Sequence, residues 1–90
     1  MKITLTRVYL ESLIAYFLSG IEVAAKVFAY YINKVSVKNA KTMRDILPRL
    51  TALSDKKQHE YWQLLARNIT NPQWHKTSFA VLFQAKNRLN

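Results

Sequence analysis

The sequence predicts an all-α fold: a compact single domain of about four helices, spanning residues 1–90, with one long N-terminal helix. Half of the 90 residues are hydrophobic and 12% are aromatic, which indicates a packed core. Apolar residues recur at helical spacing along most of the chain. The chain contains one Gly and two Pro, so few positions interrupt these periodic segments. Ninety residues suit one core and are too few for two.

The first predicted helix runs from Arg7 to Asn33. A narrow stripe of mostly polar residues continues through it at 100° per residue without a slip of phase, and the rest of the circumference is apolar. Thr6 is the candidate N-cap. Gly20 lies on the apolar side, where it predicts either the close approach of a second helix or a local kink. The stripe consists of Arg7, Glu11, Ser12, Ala15, Ser19, Glu22, Lys26, Ala29 and Asn33.

The breadth of this apolar face has two further implications. Glu11, Glu22 and Lys26 interrupt the segment, so its longest uncharged stretch is about half of the roughly 20 residues that a membrane span needs. Glu11 also falls where a signal peptide is apolar, so we expect mature sequence and no membrane partner. The remaining helices either wrap the apolar face fully or leave a patch exposed. An exposed patch would mark docking or a homo-oligomer through the first helix.

The segment from Lys34 to Ser54 is predicted to be a basic amphipathic helix. It begins with a capping region at Ser36 and Asn39. Pro48 predicts either a kink or two short helices that meet there. The apolar stripe consists of Met43, Ile46, Leu47, Leu50 and Leu53, and the opposite side carries Lys34, Lys38, Lys41, Arg44 and Arg49 with Asp45 among them.

A third helix is predicted to begin at Ser54, because its hydroxyl caps free N–H groups and the carboxylate of Asp55 favours the positive end of the helix dipole. It runs to about Ile69. Its predicted buried face is Tyr61, Trp62, Leu64, Leu65 and Ile69, and its predicted solvent face is Lys56, Glu60, Gln63 and Arg67.

The last helix is predicted to begin at Asn71 and Pro72, a preferred N-cap followed by a preferred first helical residue, and to end near Arg88. Its apolar arc includes Trp74, Ser78, Phe79, Leu82, Phe83, Ala85 and Leu89. The alternative is an α+β fold with a small sheet. The β-prone runs that would form it are residues 3–8, 35–37 and 77–83.

The sequence carries no recognisable catalytic constellation, so we expect no enzyme, no cofactor and no metal site. The chain has no Cys, which excludes disulfides, thiolate zinc ligands and a Cys nucleophile, and its one Gly excludes Gly-rich phosphate loops. His59 and Glu60 match the start of a metalloprotease motif, but Gln63 stands where the second His must lie. His75 is interpreted as a partly buried or capping residue, and the five acids as helix-surface groups or dipole partners.

Charge is the strongest functional signal. Fourteen basic and five acidic residues give a net charge of +9. Residues 1–35 hold four basic and two acidic side chains, net +2, and residues 36–90 hold ten and three, net +7. Such a field attracts polyanions. The predicted contacts are Lys34, Lys38, Lys41, Arg44, Arg49, Lys56 and Lys57, with Arg67, Lys76, Lys86 and Arg88 as a second tier.

Two functional hypotheses follow from this charge. The first is a non-enzymatic, cytoplasmic module that binds DNA or RNA through the phosphate backbone. Contact with six phosphates would give a slope of about −5 in log affinity against log salt. The alternative is a small adaptor or inhibitor that docks on an acidic surface of a larger protein. Residues 43–65 place a helix, a turn and a helix in order, but the turn lacks the usual Gly, so base-specific recognition is not expected.

Overall fold

The computed structural model describes residues 2–69 and 78–87, with side chains in the last helix described from Val81. The described chain is all-α, as predicted, and contains no strand. The α+β alternative is wrong for these residues: strand pairing is limited to one parallel bridge between Ile3 and Val35. The helices are α1 (Leu5–Ser19), α2 (Ile21–Tyr30), a short 3₁₀ helix (Tyr31–Lys34), α3 (Val37–Thr51), α4 (Asp55–Asn68) and α5 (Ser78–Asn87).

The prediction of one long N-terminal helix is wrong, because the chain breaks at Gly20. This residue has φ 94° and ψ −174°, a backbone conformation that is essentially restricted to Gly. The Gly20 N–H donates to the Tyr16 carbonyl at 2.8 Å, and the Gly20 carbonyl accepts from the Ala24 N–H at 3.1 Å. Apart from Gly20 and its two neighbours in the chain, no described residue has an atom within 4 Å of where a Cβ would stand. Gly20 therefore allows a turn between α1 and α2, which resembles the predicted local kink and not the close approach of a second helix.

Side-chain hydroxyls of Thr or Ser cap the N-termini of three of the described helices. Ser36 and Ser54 cap α3 and α4, each accepting the backbone N–H three residues on, as predicted. The cap of α1 is Thr4 rather than Thr6. The helix therefore begins at Leu5, two residues earlier than predicted, and Leu5 packs against the core.

Pro48 lies inside α3, and the alternative of two short helices is wrong. The helix continues to Thr51, because a proline near the C-terminal end deprives only one carbonyl, that of Arg44, of its helical donor. The Thr51 hydroxyl donates to the Leu47 carbonyl at 3.0 Å and satisfies a further acceptor in the last turn.

The core forms around Trp62 of α4. Its ring stacks on Tyr16 of α1 at 6.2 Å between centroids, and meets Phe28 of α2 edge-on at 6.4 Å. Tyr61 packs beside it at 5.0 Å. The predicted apolar stripes of α3 and α4 both face this core. Their fully buried members are Met43, Ile46, Leu50, Tyr61, Trp62 and Leu65.

Some predictions fall on residues outside the described ranges. These are the helix start at Asn71 and Pro72, the interpretation of His75, and the second-tier cations Lys76 and Arg88. In α5, Val81, Leu82 and Ala85 are buried, whereas Phe83, predicted on the buried arc, is 68% exposed. No helix in the described ranges is both long and apolar enough to cross a membrane.

Candidate binding surfaces

The basic face of α3 consists of Lys38, Lys41, Arg44 and Arg49, and all four are exposed. The helix is oriented by its apolar stripe, which the core holds on the opposite side. Asp45 is exposed on the same side of the helix. The sequence placed these four cations on one side of an amphipathic helix, and the structure brings them to one solvent-facing surface.

Three of these cations have no anionic partner among the described residues. Lys38, Lys41 and Arg44 form no ion pair there, in contrast to Lys26, whose ammonium lies 3.6 Å from a Glu22 carboxylate oxygen. Their charge is therefore not neutralised by the neighbouring helices, and an anion can approach without displacing an intramolecular partner. A surface of this kind binds phosphate groups mainly through charge.

The other predicted cations occupy different settings. Lys34 precedes α3, and its ammonium lies 5.0 Å from the centroid of the Tyr30 ring, a cation–π geometry. Lys56 is exposed in the first turn of α4. Lys57 is half-buried, and its ammonium donates to the backbone carbonyl of Lys86 near the end of α5. A cation at this position interacts favourably with the negative end of the helix dipole. Lys57 therefore helps to join α4 to α5.

A cleft of about 530 Å³ lies between α3 and α5, and sequence reasoning did not find it. Its apolar lining includes the exposed Phe83, and two cations, Arg49 and Lys86, stand at its edge. The periodicity of α5 did not reveal the cleft, because the cleft depends on where α5 packs relative to α3. The full lining is Arg49, Ala52, Leu53, Leu82, Phe83 and Lys86.

The face of α1 that points away from the core is more apolar than the sequence predicts, although Arg7 and Ser19 of the predicted polar stripe are exposed as expected. Ser12, predicted on the polar stripe, is fully buried, and its hydroxyl donates to the Val8 carbonyl at 2.8 Å. Glu11 and Ala15 are half-buried. The exposed side of α1 also carries four large apolar side chains, those of Leu10, Ile14, Phe17 and Leu18.

Polar side chains at the edge of the core link α1 to α4. The Tyr16 hydroxyl lies 2.9 Å from His59 Nδ1, and the Gln63 amide donates to the same hydroxyl at 3.4 Å. This contact links His59 of α4 to Tyr16 of α1. Burial, together with the adjacent Tyr9 hydroxyl, raises the pKa of Tyr61 well above its usual value. Within the described ranges, no three His, Asp or Glu side chains come together as metal ligands would.

Comparison of the chain with protein-family models, with characterised proteins and with solved structures finds no match. The class of protein is therefore defined by its own fold and surfaces. It is a small all-α protein that exposes a cationic face on one helix and an apolar face on another.

Proposed function

We propose that this protein is a non-enzymatic binding module that contacts the phosphate backbone of nucleic acid through the basic face of α3. The observation that supports this proposal is that Lys38, Lys41 and Arg44 are exposed along one helix and form no ion pair with any residue of the described ranges. Cations that already have carboxylate partners would have to give them up to bind a phosphate. These three do not.

The dimensions of the basic face suit several phosphates. From residue 38 to residue 49 a helix rises about 16 Å, which matches the axial rise of about five phosphates along one strand of B-DNA. Four contacts from this face would give a slope between about −3 and −4 in log affinity against log salt. Lys34 and Lys56 would steepen the slope if the nucleic acid reaches beyond α3.

The chemistry of the surface favours backbone contact over the reading of bases. Lys and Arg contact phosphates regardless of sequence, whereas base recognition depends on side chains that enter a groove. Residues 52–54 connect α3 to α4, yet the exposed side of α4 carries Asp55 beside Lys56. The positive charge is therefore concentrated on the first helix of this pair. We expect DNA or RNA of any sequence to bind with similar affinity.

The test is fluorescence anisotropy with labelled single-stranded and double-stranded oligonucleotides of mixed sequence. The test variant is Lys38→Glu/Lys41→Glu/Arg44→Glu. The control is Lys2→Glu/Arg7→Glu/Arg67→Glu, which makes the same change in net charge at exposed positions outside α3. We expect the test variant to lose about a hundredfold or more in affinity at low salt, and the control to lose much less.

Two results would contradict the proposal. Equal losses in both triple variants would show that net charge, and not the basic face of α3, drives binding. Wild-type affinity in a folded test variant would remove α3 from the site. Circular dichroism of both variants establishes whether each is folded.

A second candidate function, docking on an acidic surface of a larger protein, is favoured by the cleft between α3 and α5. Its apolar lining and the two cations at its edge suit a peptide segment that combines apolar and acidic side chains. A pull-down at about 0.1 M and about 0.5 M salt, with and without nuclease, separates the two functions. A stoichiometric protein that survives nuclease and salt, and is lost with Phe83→Ser, would favour the cleft.

A further inference from the structure

The outer face of α1 exposes large apolar side chains to water. Leu10, Ile14, Phe17 and Leu18 retain 43%, 53%, 65% and 80% of their surface. They lie at helical spacing, so they form one continuous stripe opposite the side that packs on α2 and α4. A continuous group of large exposed apolar side chains is typical of a surface that another molecule covers.

The stripe continues from α1 onto α2. Ile14 and Tyr30 line the same shallow groove between the two helices, and Tyr30 is 62% exposed. Val23 adds a further exposed apolar side chain on α2. The α1–α2 hairpin therefore presents a largely apolar surface formed by two helices, with Glu11 and Lys26 in the groove between them.

The charge of the hairpin indicates what kind of partner fits this surface. Residues 5–30 contain two basic residues, Arg7 and Lys26, and two acidic residues, Glu11 and Glu22, so the segment has no net charge. The other described residues carry most of the positive charge, and two copies of the chain repel one another there. Neutral hairpins have no such repulsion. An anionic membrane or a nucleic acid, in turn, finds no electrostatic attraction at this surface.

We propose that two copies of this chain form a symmetric dimer through the outer faces of their α1 helices, extended by Val23 and Tyr30 of α2. At roughly 150–200 Å² for a fully exposed large apolar side chain, the six exposed side chains would bury about 600 Å² per copy. Two copies would then bury about 1,200 Å², the lower end of the range for specific interfaces. Such a surface predicts a dimer of moderate affinity.

The dimer is compatible with nucleic-acid binding but does not depend on it. The four cations of the basic face lie on α3 and are not among the proposed interface residues, so each basic face stays available in the dimer. Lys34, whose ammonium contacts the Tyr30 ring, lies at the edge of the interface. A dimer would carry two basic faces, and the second would bind a long nucleic acid at a raised effective concentration.

The test is sedimentation velocity on the full chain, freed of nucleic acid, over a range of protein concentrations. Leu18→Glu places a charge in the proposed interface at a position that is 80% exposed. Val37→Glu makes the same kind of change at a position that is 81% exposed, at the start of α3 and outside the interface. Because both side chains are mostly in solvent, neither substitution should disturb the fold.

We expect wild type and Val37→Glu to sediment as dimers, and Leu18→Glu to associate about tenfold or more weakly. Phe17→Gln is a second interface variant and should weaken the dimer in the same direction. A wild-type protein that remains monomeric at high concentration overturns the proposal, even if the face then binds neutral vesicles. Dimers that persist in both folded interface variants overturn it equally. Failure of nucleic-acid binding alone leaves the prediction of a dimer unchanged.

Discussion

α1 and α3 are both 15-residue helices with one side in the core and the other in water, yet their outer faces have opposite chemistry. The outer face of α3 is cationic, and that of α1 is apolar and belongs to a hairpin without net charge. A cationic face interacts with polyanions over long distances and is weakened by salt. An apolar face gains free energy only on contact, in proportion to the area buried. The two helices are therefore suited to different kinds of partner.

The comparison also shows when a sequence pattern determines which side of a helix is buried. In α3, charged and apolar residues occupy opposite sides, so one orientation is far more stable than any other. In α1, apolar residues surround most of the circumference, and several orientations bury a similar apolar area. Packing against Phe28 and Trp62 selects one of them. That orientation buries Ser12 and exposes Leu18.

The largest effect is expected when the core shared by both helices is damaged. Trp62→Ala should lower the free energy of unfolding by about 3–5 kcal/mol, because it removes a buried ring that joins α4 to α1 and α2. Phe83→Ala, at an exposed position, should change it by less than about 0.5 kcal/mol. Chemical denaturation measures both values. A loss below about 1 kcal/mol for Trp62→Ala would contradict its central position.

Salt should separate the two outer faces. Between about 50 mM and about 200 mM salt, four phosphate contacts on α3 predict a loss of about a hundredfold in nucleic-acid affinity. Association through α1 should not weaken over the same range, because screening reduces the repulsion between two cationic copies. Anisotropy and sedimentation at matched salt concentrations give the two trends. Parallel losses would mean that both surfaces bind through charge.

Gly20→Ala tests why α1 and α2 are separate helices. The backbone at Gly20 is strained for any residue with a Cβ, so we expect a loss of about 1–3 kcal/mol in the free energy of unfolding. Ser19→Ala, one residue earlier and in ordinary helical geometry, is the control and should change it by less than about 0.5 kcal/mol. If Gly20→Ala stabilised the protein instead, a continuous N-terminal helix would be the better description, since Ala favours helix.

The buried Tyr61 predicts that the free energy of unfolding depends on pH. Burial raises the pKa of Tyr61, so the folded protein keeps this proton at a pH where the unfolded chain loses it. The contribution of Tyr61 is therefore complete below its unfolded pKa and falls above pH 10.0, by about 1.4 kcal/mol per pH unit. Denaturation curves between about pH 9 and about pH 11 measure this loss. The slope should be shallower in Tyr61→Phe, and identical slopes would remove Tyr61 as the cause.

Much of the candidate site was predictable because local rules sufficed. Lys38, Lys41 and Arg44 follow a regular helical spacing, and the opposite stripe places them in solvent. Other features required long-range packing. Lys57 stays a predicted partner contact, and nothing in the sequence indicated that its ammonium donates to a carbonyl of α5, 29 residues away. Phe83 was predicted in the core, but the packing of α5 leaves it at a cleft.

The sequence alone determined the all-α class, the Ser36 and Ser54 caps, and the amphipathic faces of α3 and α4, because each depends on residues within a few turns of one another. The tertiary structure decided where the N-terminal helix breaks and which side of α1 meets the core. Both decisions depend on distant residues: the turn at Gly20 lets α2 fold back on α1, and Trp62 fills the space between them. Local periodicity does not encode such contacts.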